Sequence, residues 1–239
     1  MATSDLANHF DRNHLIAQMG LLALFITSLV VAQLIAVKIL ELPAPDWMIG
    51  IGEEILVPAG VLAYALTFVA SDCYTELYGR RSAQIMVNIG FLMNFVMLAL
   101  VWLAIGAPGS GVGVDPDEFE AVLAPSTNIV LASLAAFLVS QNWDVIVFDR
   151  LRERTAGRHL WLRNIGSTLT SQLIDTVIFI IIAFALAPSI LGVGVALPQA
   201  EIIALIIGHY LIKLGIAILE TPLVYGIVHL VRTKTATPV

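Results

Sequence analysis

Apolar residues gather in six long runs separated by short polar stretches, and this alternation predicts the elements of the chain. Leu15 to Leu40 is the first run, long enough to cross a hydrocarbon core of about 30 Å at about 1.5 Å per residue. Pro43 and Pro45 break it. Ile55 to Val69 is the second, continuing as helix through Ser71 to Tyr78 and stopping at Gly79. Ser82 to Ile105 is the third, and a loop rich in Gly, Pro and acid follows from Gly106 to Pro125. Thr127 to Phe148 forms the fourth run and Ser167 to Leu186 the fifth. Pro188 to Pro198 reads as a turn region, and Ala200 to Val231 as the sixth span. Pro222 removes a backbone donor inside that last run and predicts a kink near Ile218. The expected architecture is all-α: one polytopic domain of six transmembrane helices over residues 15–231. A polar N-terminus (1–14) and a short tail (232–239) flank it.

Composition strengthens this picture. The chain is 59% apolar and only 13% charged, with a mean hydropathy of +0.91, too little charge to wet a soluble surface. The polar N-terminus, with acids and an arginine before a long apolar run, does not read as a secretory signal. Arg12, Arg80, Arg81, Arg150, Arg152, Arg154, Arg158, Arg163, Arg232 and Lys234 all fall on one side of a six-helix arrangement. Glu41, Asp46, Glu53, Glu54, Asp115, Asp117, Glu118 and Glu120 fall on the other, which lacks Lys and Arg. Cytoplasmic loops carry the Lys/Arg excess, so both termini are expected in the cytoplasm of a cell (inner) membrane protein. The basic loop from Arg150 to Arg163 is read as a topology signal in contact with anionic lipid, with no direct nucleic-acid role.

The candidate chemistry lies inside the spans. Gln141 and Asp144 share one helix face, and Thr168, Ser171, Gln172 and Asp175 form a polar stripe on the next helix. Asp175 is expected roughly 13 Å deep, where a carboxylate is costly unless it meets protein, water or a ligand. The bland reading of the neutral groups is interhelical hydrogen bonding, which explains aspartates poorly. Asp72 and Glu76 stand one turn apart: either solvated at the interface with Arg80 as counter-ion, or a receptor for a polar base. Lys213 lies mid-span with His209 one turn before and Glu220 two turns after, and a Lys213–Glu220 pair is expected, for structure or for coupling. Ala32-x-x-x-Ala36 permits a close helix contact.

Absences narrow the class. A single cysteine, Cys73, rules out an intrachain disulfide and a cysteine-based metal cluster, and no cofactor motif appears. The chain contains no G-x-x-x-x-G-K-[ST], H-E-x-x-H or G-x-S-x-G. Asp144 and Asp175 are formally available to an intramembrane hydrolase, but the glycine-flanked aspartate of that class is missing.

Asp72-x-x-x-Glu76-x-x-Gly79, Gln141-x-x-Asp144, Trp161-Leu162-Arg163-Asn164-x-x-Ser167-Thr168, Gln172-x-x-Asp175 and Thr221-Pro222 together resemble the queuosine precursor transporter family. The family is also known as the vitamin-uptake-type transporters, and the similarity runs over all six spans. The resemblance implies import of a 7-deazaguanine base for tRNA modification, 7-cyano- or 7-aminomethyl-7-deazaguanine, with no enzymatic step. It also implies kinship with the six-helix substrate-binding subunits of energy-coupling-factor importers, and hence a separate ATPase module as an optional partner. A carboxylate can accept from the amide-like edge of such a base while Gln or Asn pairs with its carbonyl. Asp175 with Gln172 is therefore expected to recognise the base, followed by Asp72, Glu76, Gln141 and Asp144, with Arg163 and Asn164 at the inner mouth. A carrier of another nucleobase or vitamin, an ATPase-dependent binding subunit and an intramembrane hydrolase stay as alternatives.

Overall fold

The computed structural model describes the backbone of residues 2–43, 54–110, 112–155 and 160–235, and side chains within 14–43, 54–110, 112–151, 153–155 and 165–233. Pro45, Asp46 and Glu53, and the side chains of Arg12, Arg152, Arg158, Arg163, Asn164 and Lys234, lie outside the described residues.

The first apolar run ends as helix earlier than its hydropathy suggests. α1 spans Ala2–Ile35, and the chain then forms β1 (Ile39–Pro43), antiparallel to β2 (Glu54–Pro58). Ile39 pairs with Pro58 and Leu40 with Val57. The hydropathy of the second run predicts helix from Ile55, but α2 covers Gly60–Tyr78. Pro58 explains the correction, because a proline inside a helix lacks its N–H and clashes with the preceding turn, whereas it is tolerated at a strand end. Ala59 N–H donates to the Lys38 carbonyl at 2.7 Å and closes the hairpin base.

α3 (Arg80–Ile105) follows at once, because Gly79 turns the chain with a φ of 83°. The acidic loop contains a short helix, α4 (Pro116–Leu123), whose first turn is capped by the Asp115 carboxylate accepting from Asp117 N–H at 2.9 Å. α5 runs Ser126–Arg154, further into the basic loop than the apolar stretch predicts. α6 (Leu160–Ile181) also starts earlier than expected and ends in a π-turn (Ile182–Leu186), followed by α7 (Ala187–Leu191). Pro188 has no N–H to offer the Phe184 carbonyl, and Leu197 N–H supplies one at 2.8 Å. α8 (Gln199–Thr235) continues as one helix on both sides of Pro222.

Packing sorts these helices into a bundle with two distinct ends. At one end Leu21 of α1, Cys73 and Tyr74 of α2, Ala83 of α3 and Val228 of α8 form a core. At the other, Ala36, Ile129, Ile180 and Leu205 pack with Ile39 and Leu56 of the hairpin. The six long helices therefore alternate in direction. Among the described residues, five segments are long and apolar enough to cross a membrane: His14–Ile35, Arg80–Ile105, Pro116–Leu151, Ile165–Leu191 and Gln199–Thr233. α2, with 19 residues and about 28 Å of length, is more polar than these and packs against α1, α3 and α8. Leu92, Leu100, Leu103, Ile218 and Leu219 point outward as a lipid-facing surface does.

Two glycines permit close approaches to neighbouring backbone. A Cβ on Gly60 would lie 2.6 Å from the Ala32 carbonyl oxygen and 2.8 Å from Ala36 Cβ. The small pair read from the sequence thus serves the α1–α2 crossing. Gly208 does the same for β2 against α8, where a Cβ would run into the Leu56 carbonyl oxygen.

Candidate functional site

α5 and α6 form the most extensive helix pair, and their facing polar residues build a two-rung ladder. Ser140 Oγ on α5 donates to Asp175 Oδ1 on α6 at 3.3 Å, and Ser171 Oγ on α6 donates to Asp144 Oδ1 on α5 at 3.2 Å. Each helix contributes one serine and one aspartate, and the rungs are four residues apart, about 6 Å along the axis. The pairing settles what the aspartates do for one another. Two carboxylates that share a proton must lie about 3 Å apart, whereas these two occupy successive rungs with separate hydroxyl partners. The geometry does not build a hydrolase dyad.

Asp175 has a second partner. Lys213 Nζ, from the middle of α8, lies 2.7 Å from Asp175 Oδ2, with side-chain exposures of 4% for the lysine and 17% for the aspartate. The expected Lys213–Glu220 pair is not formed. Those residues are seven apart on one helix, roughly 10 Å along its axis, whereas α6 offers a carboxylate directly across the bundle. Lys213 also stands 5.7 Å from the centroid of the Tyr64 ring on α2. One ion pair therefore ties α8 to α6 beside α2.

Empty space lies on both sides of this pair. One cavity, about 420 Å³ with its mouth, opens toward the hairpin and is lined by Gln33, Tyr64, Ser133, Asp175, His209 and Lys213, among others. A second, about 690 Å³, includes Tyr64, Ser71, Ser140, Gln141, Gln172 and Asp175. A third, about 1000 Å³, lies between α2, α6 and α8 and includes Asp72, Thr168, Gln172, Lys213 and Glu220. Asp175 borders the first two and Lys213 the first and third, so the ion pair forms part of the wall between them. Counting only the room open to a water molecule, the third cavity, about 430 Å³, is of the ~300–1,000 Å³ order that small-molecule sites have, whereas the second offers about 180 Å³ and the first about 40 Å³. Gln172 faces the second and third, and its Oε1 is buried with no hydrogen-bond partner among the described residues.

Comparison with known proteins decides the class. Residues 58–227 match the family model described as "Putative vitamin uptake transporter". A Bacillus subtilis (strain 168) protein named "Probable queuosine precursor transporter" is 33% identical over 172 residues, covering 70% of this chain and 69% of that one. The "Queuosine precursor transporter" of Escherichia coli (strain K12) is 30% identical over 54% of this chain and 56% of its own. A Haemophilus influenzae relative named as in B. subtilis is 28% identical over 52% and 51%. The chain belongs to the queuosine precursor transporter family. No solved structure matches it. It is a multi-pass membrane transporter and not an enzyme, in line with its helical architecture and with relatives that are transporters.

Within this transporter the residues singled out from sequence fall into two groups. Gln141, Gln172 and Asp175 share one cavity, and Asp144 joins them through the α5–α6 ladder. Glu76 lies apart, toward the Arg80 end of α2, whereas Asp72 shares the third cavity with Gln172. Glu76 Oε1 takes Arg232 Nη2 at 2.7 Å, so its counter-ion is Arg232 of α8 and not Arg80. Both members of that pair are more than half exposed. A double-mutant cycle on Glu76→Gln and Arg232→Gln should therefore give a coupling under about 1 kcal/mol that fades with added salt. A larger, salt-insensitive coupling would make the pair a structural lock. Asp72 borders the third cavity with Glu220, and also a smaller cleft with Glu76 and Arg232.

Three contributors are not signalled by the motifs. Tyr64 lines two cavities and faces Lys213, yet it looks like any aromatic of an apolar run. Gln33, 2% exposed, accepts from Ser133 Oγ at 3.1 Å, and its signal in the sequence is one of two amides, with Gln18, in the first apolar run. His209 is visible on the Lys213 face, but its position along the helix gives it no role.

Proposed function

We propose that this chain imports a queuosine precursor, a 7-deazaguanine base used in tRNA modification, across the cell membrane. The observation that carries the reading is the position of Asp175 on the wall between two cavities in a chain related to proteins of that name. A carboxylate there can accept both donors of a guanine-like edge, and Gln172, with an unpartnered amide oxygen, can take a third hydrogen bond. Gln141 lines the same cavity, and Asp144 acts one rung away by holding Ser171. Asp72 and Glu76 would belong to the exit region together with Arg163 and Asn164. Release of the base requires the Lys213–Asp175 contact to open, which assigns Lys213 a coupling role with Asp175 in place of Glu220.

Six crossings with both termini in the cytoplasm fit this reading, because Arg80, Arg81, Arg150, Arg154 and Arg232 all lie at helix ends opposite the acidic hairpin and α4. A separate ATPase module would dock on that cytoplasmic side.

Cells unable to make or import deazaguanines provide the test. Expression of the parent chain should restore tRNA modification when nanomolar precursor is fed. Asp175→Asn, present in the membrane at parental level, should reduce initial uptake roughly tenfold, as loss of a charge-assisted hydrogen bond does. Restoration by both forms would leave import standing and remove Asp175 from the site. Failure of a well-expressed parent, repeated with candidate ATPases, would sink the import reading.

A further inference from the structure

The hairpin-side cavity carries an intramembrane histidine that base recognition does not use. Its room of about 40 Å³ admits roughly three waters and is too small for a purine-sized base. His209 is 5% exposed, and its Nδ1 has no hydrogen-bond partner among the described residues. The Phe179 ring meets the imidazole edge-on, with centroids 5.6 Å apart. Gln33 and Ser133, bonded to one another, line the same space from α1 and α5. A buried ring nitrogen without a partner is unfavourable, and water is the one ligand small enough to satisfy it here.

The same space reaches the ion pair. Lys213 follows His209 by one turn of α8, a spacing that puts Cβ atoms about 5–6 Å apart, within the span of one bridging water. Lys213 uses one of its three N–H donors on Asp175 Oδ2. The titratable or charged groups lining the cavity with His209 are Tyr64 of α2, Asp175 of α6 and Lys213 of α8. Among the described residues, α1, α5 and the hairpin contribute none. A metal ion finds no seat there. The Lys213 ammonium repels it, and among the described residues no group of three or more His, Cys, Asp or Glu could hold one. A proton needs no such cage. An imidazole takes a proton at one nitrogen and gives one from the other, and His and carboxylate groups inside membranes build proton paths.

We propose that His209 is a proton relay, passing a proton from water in the hairpin-side cavity to Asp175, and that import is thereby coupled to proton entry. The inference rests on the import reading above and adds its driving force. One proton crosses per base. Taken up at one imidazole nitrogen and given from the other, it moves through water to an Asp175 carboxylate oxygen. The neutral carboxyl no longer holds Lys213, and it has one lone pair fewer for the base, so both are released. Asp175 then gives the proton to water in the second cavity, which extends past Ser71 and Gln141, away from the hairpin. The ion pair re-forms and the cycle closes.

Proteoliposomes holding the full chain, with the membrane potential clamped at zero, test it with radiolabelled 7-cyano-7-deazaguanine. An outside pH one unit below the inside should drive about tenfold accumulation, the limit for one proton per base, and a protonophore should abolish it. His209→Gln keeps a hydrogen-bonding amide but cannot carry a proton. It should bring accumulation down to the equilibrium level while the base still binds with parental affinity. His209→Phe, which preserves a ring beside Phe179, should do the same. A parent that exchanges labelled for unlabelled base, yet stays at equilibrium under the pH gradient, would overturn the relay and leave import standing. Full gradient-driven accumulation in His209→Gln would overturn it equally. A parent that neither binds nor exchanges the base would end the import reading and this inference with it. The parent's response to the gradient decides even if a variant fails to fold.

Discussion

Lys213→Met should destabilise the folded bundle by about 3–5 kcal/mol, and adding Asp175→Asn should restore most of that loss. The asymmetry follows from the site. Lys213 and Asp175 are held 2.7 Å apart between α8 and α6, and Ser140 also donates to the carboxylate, at a longer 3.3 Å. Methionine matches the lysine stem in length, so the main change is a carboxylate stripped of its cation, together with loss of the charge 5.7 Å from the Tyr64 ring centroid. The double variant removes both charges and leaves an amide that Ser140 can still reach. Reversible unfolding in mixed micelles measures the cycle. A coupling below about 1 kcal/mol, the size of an exposed pair, would show that water reaches the pair and that it does not wall the cavities. Stability and transport should separate in this series. The double variant is expected to fold well yet import poorly, because the residue assigned to grip the base is gone.

Much of the bundle is legible in the sequence because lipid imposes a simple pattern. A crossing needs about 20 apolar residues, and the runs at Ser82–Ile105 and Ala200–Val231 coincide with α3 and α8 to within a few residues. The hairpin is not legible for the same reason. Ile39–Pro43 and Glu54–Pro58 are apolar enough to merge with the neighbouring helical runs, and five residues are too few to show a period. Pro58 is the available signal. The site is legible to the level of which helices carry it. Gln141, Asp144, Ser171, Gln172 and Asp175 stand out as polar groups in apolar segments, and α5 and α6 bring them face to face. Sequence spacing reports neighbours along one helix, however, and so favours Glu220 as the partner of Lys213. The actual partner comes from a different helix, which only the packing of α8 on α6 determines. Tyr64 and Gln33 are hidden likewise, since their roles arise from the cavity around them.

Gly208→Val should cost about 3 kcal/mol or more, the upper range for overpacking, and should dislodge the hairpin from α8. A Cβ at position 208 would press into the Leu56 carbonyl oxygen and lie 2.9 Å from Ile55 Cγ2. Neither neighbour can yield easily. Leu56 is paired with Glu41 in the β1–β2 register, and the adjacent Val57 is fully buried. Relief requires β2 to move away from α8, and Pro58, which lines the Lys213 cavity, would move with it. Gly215, two turns further along the same helix, has nothing within 4 Å of the point where a Cβ would sit. Gly215→Ala should therefore stabilise by roughly 0.5–1 kcal/mol through helix propensity alone. Thermal midpoints of the two variants in the same lipid environment provide the comparison. Equal tolerance at both positions would mean that the hairpin is not seated on α8. A selective loss at 208, with substrate binding weakened alongside stability, would establish the hairpin as a wall of the binding chamber.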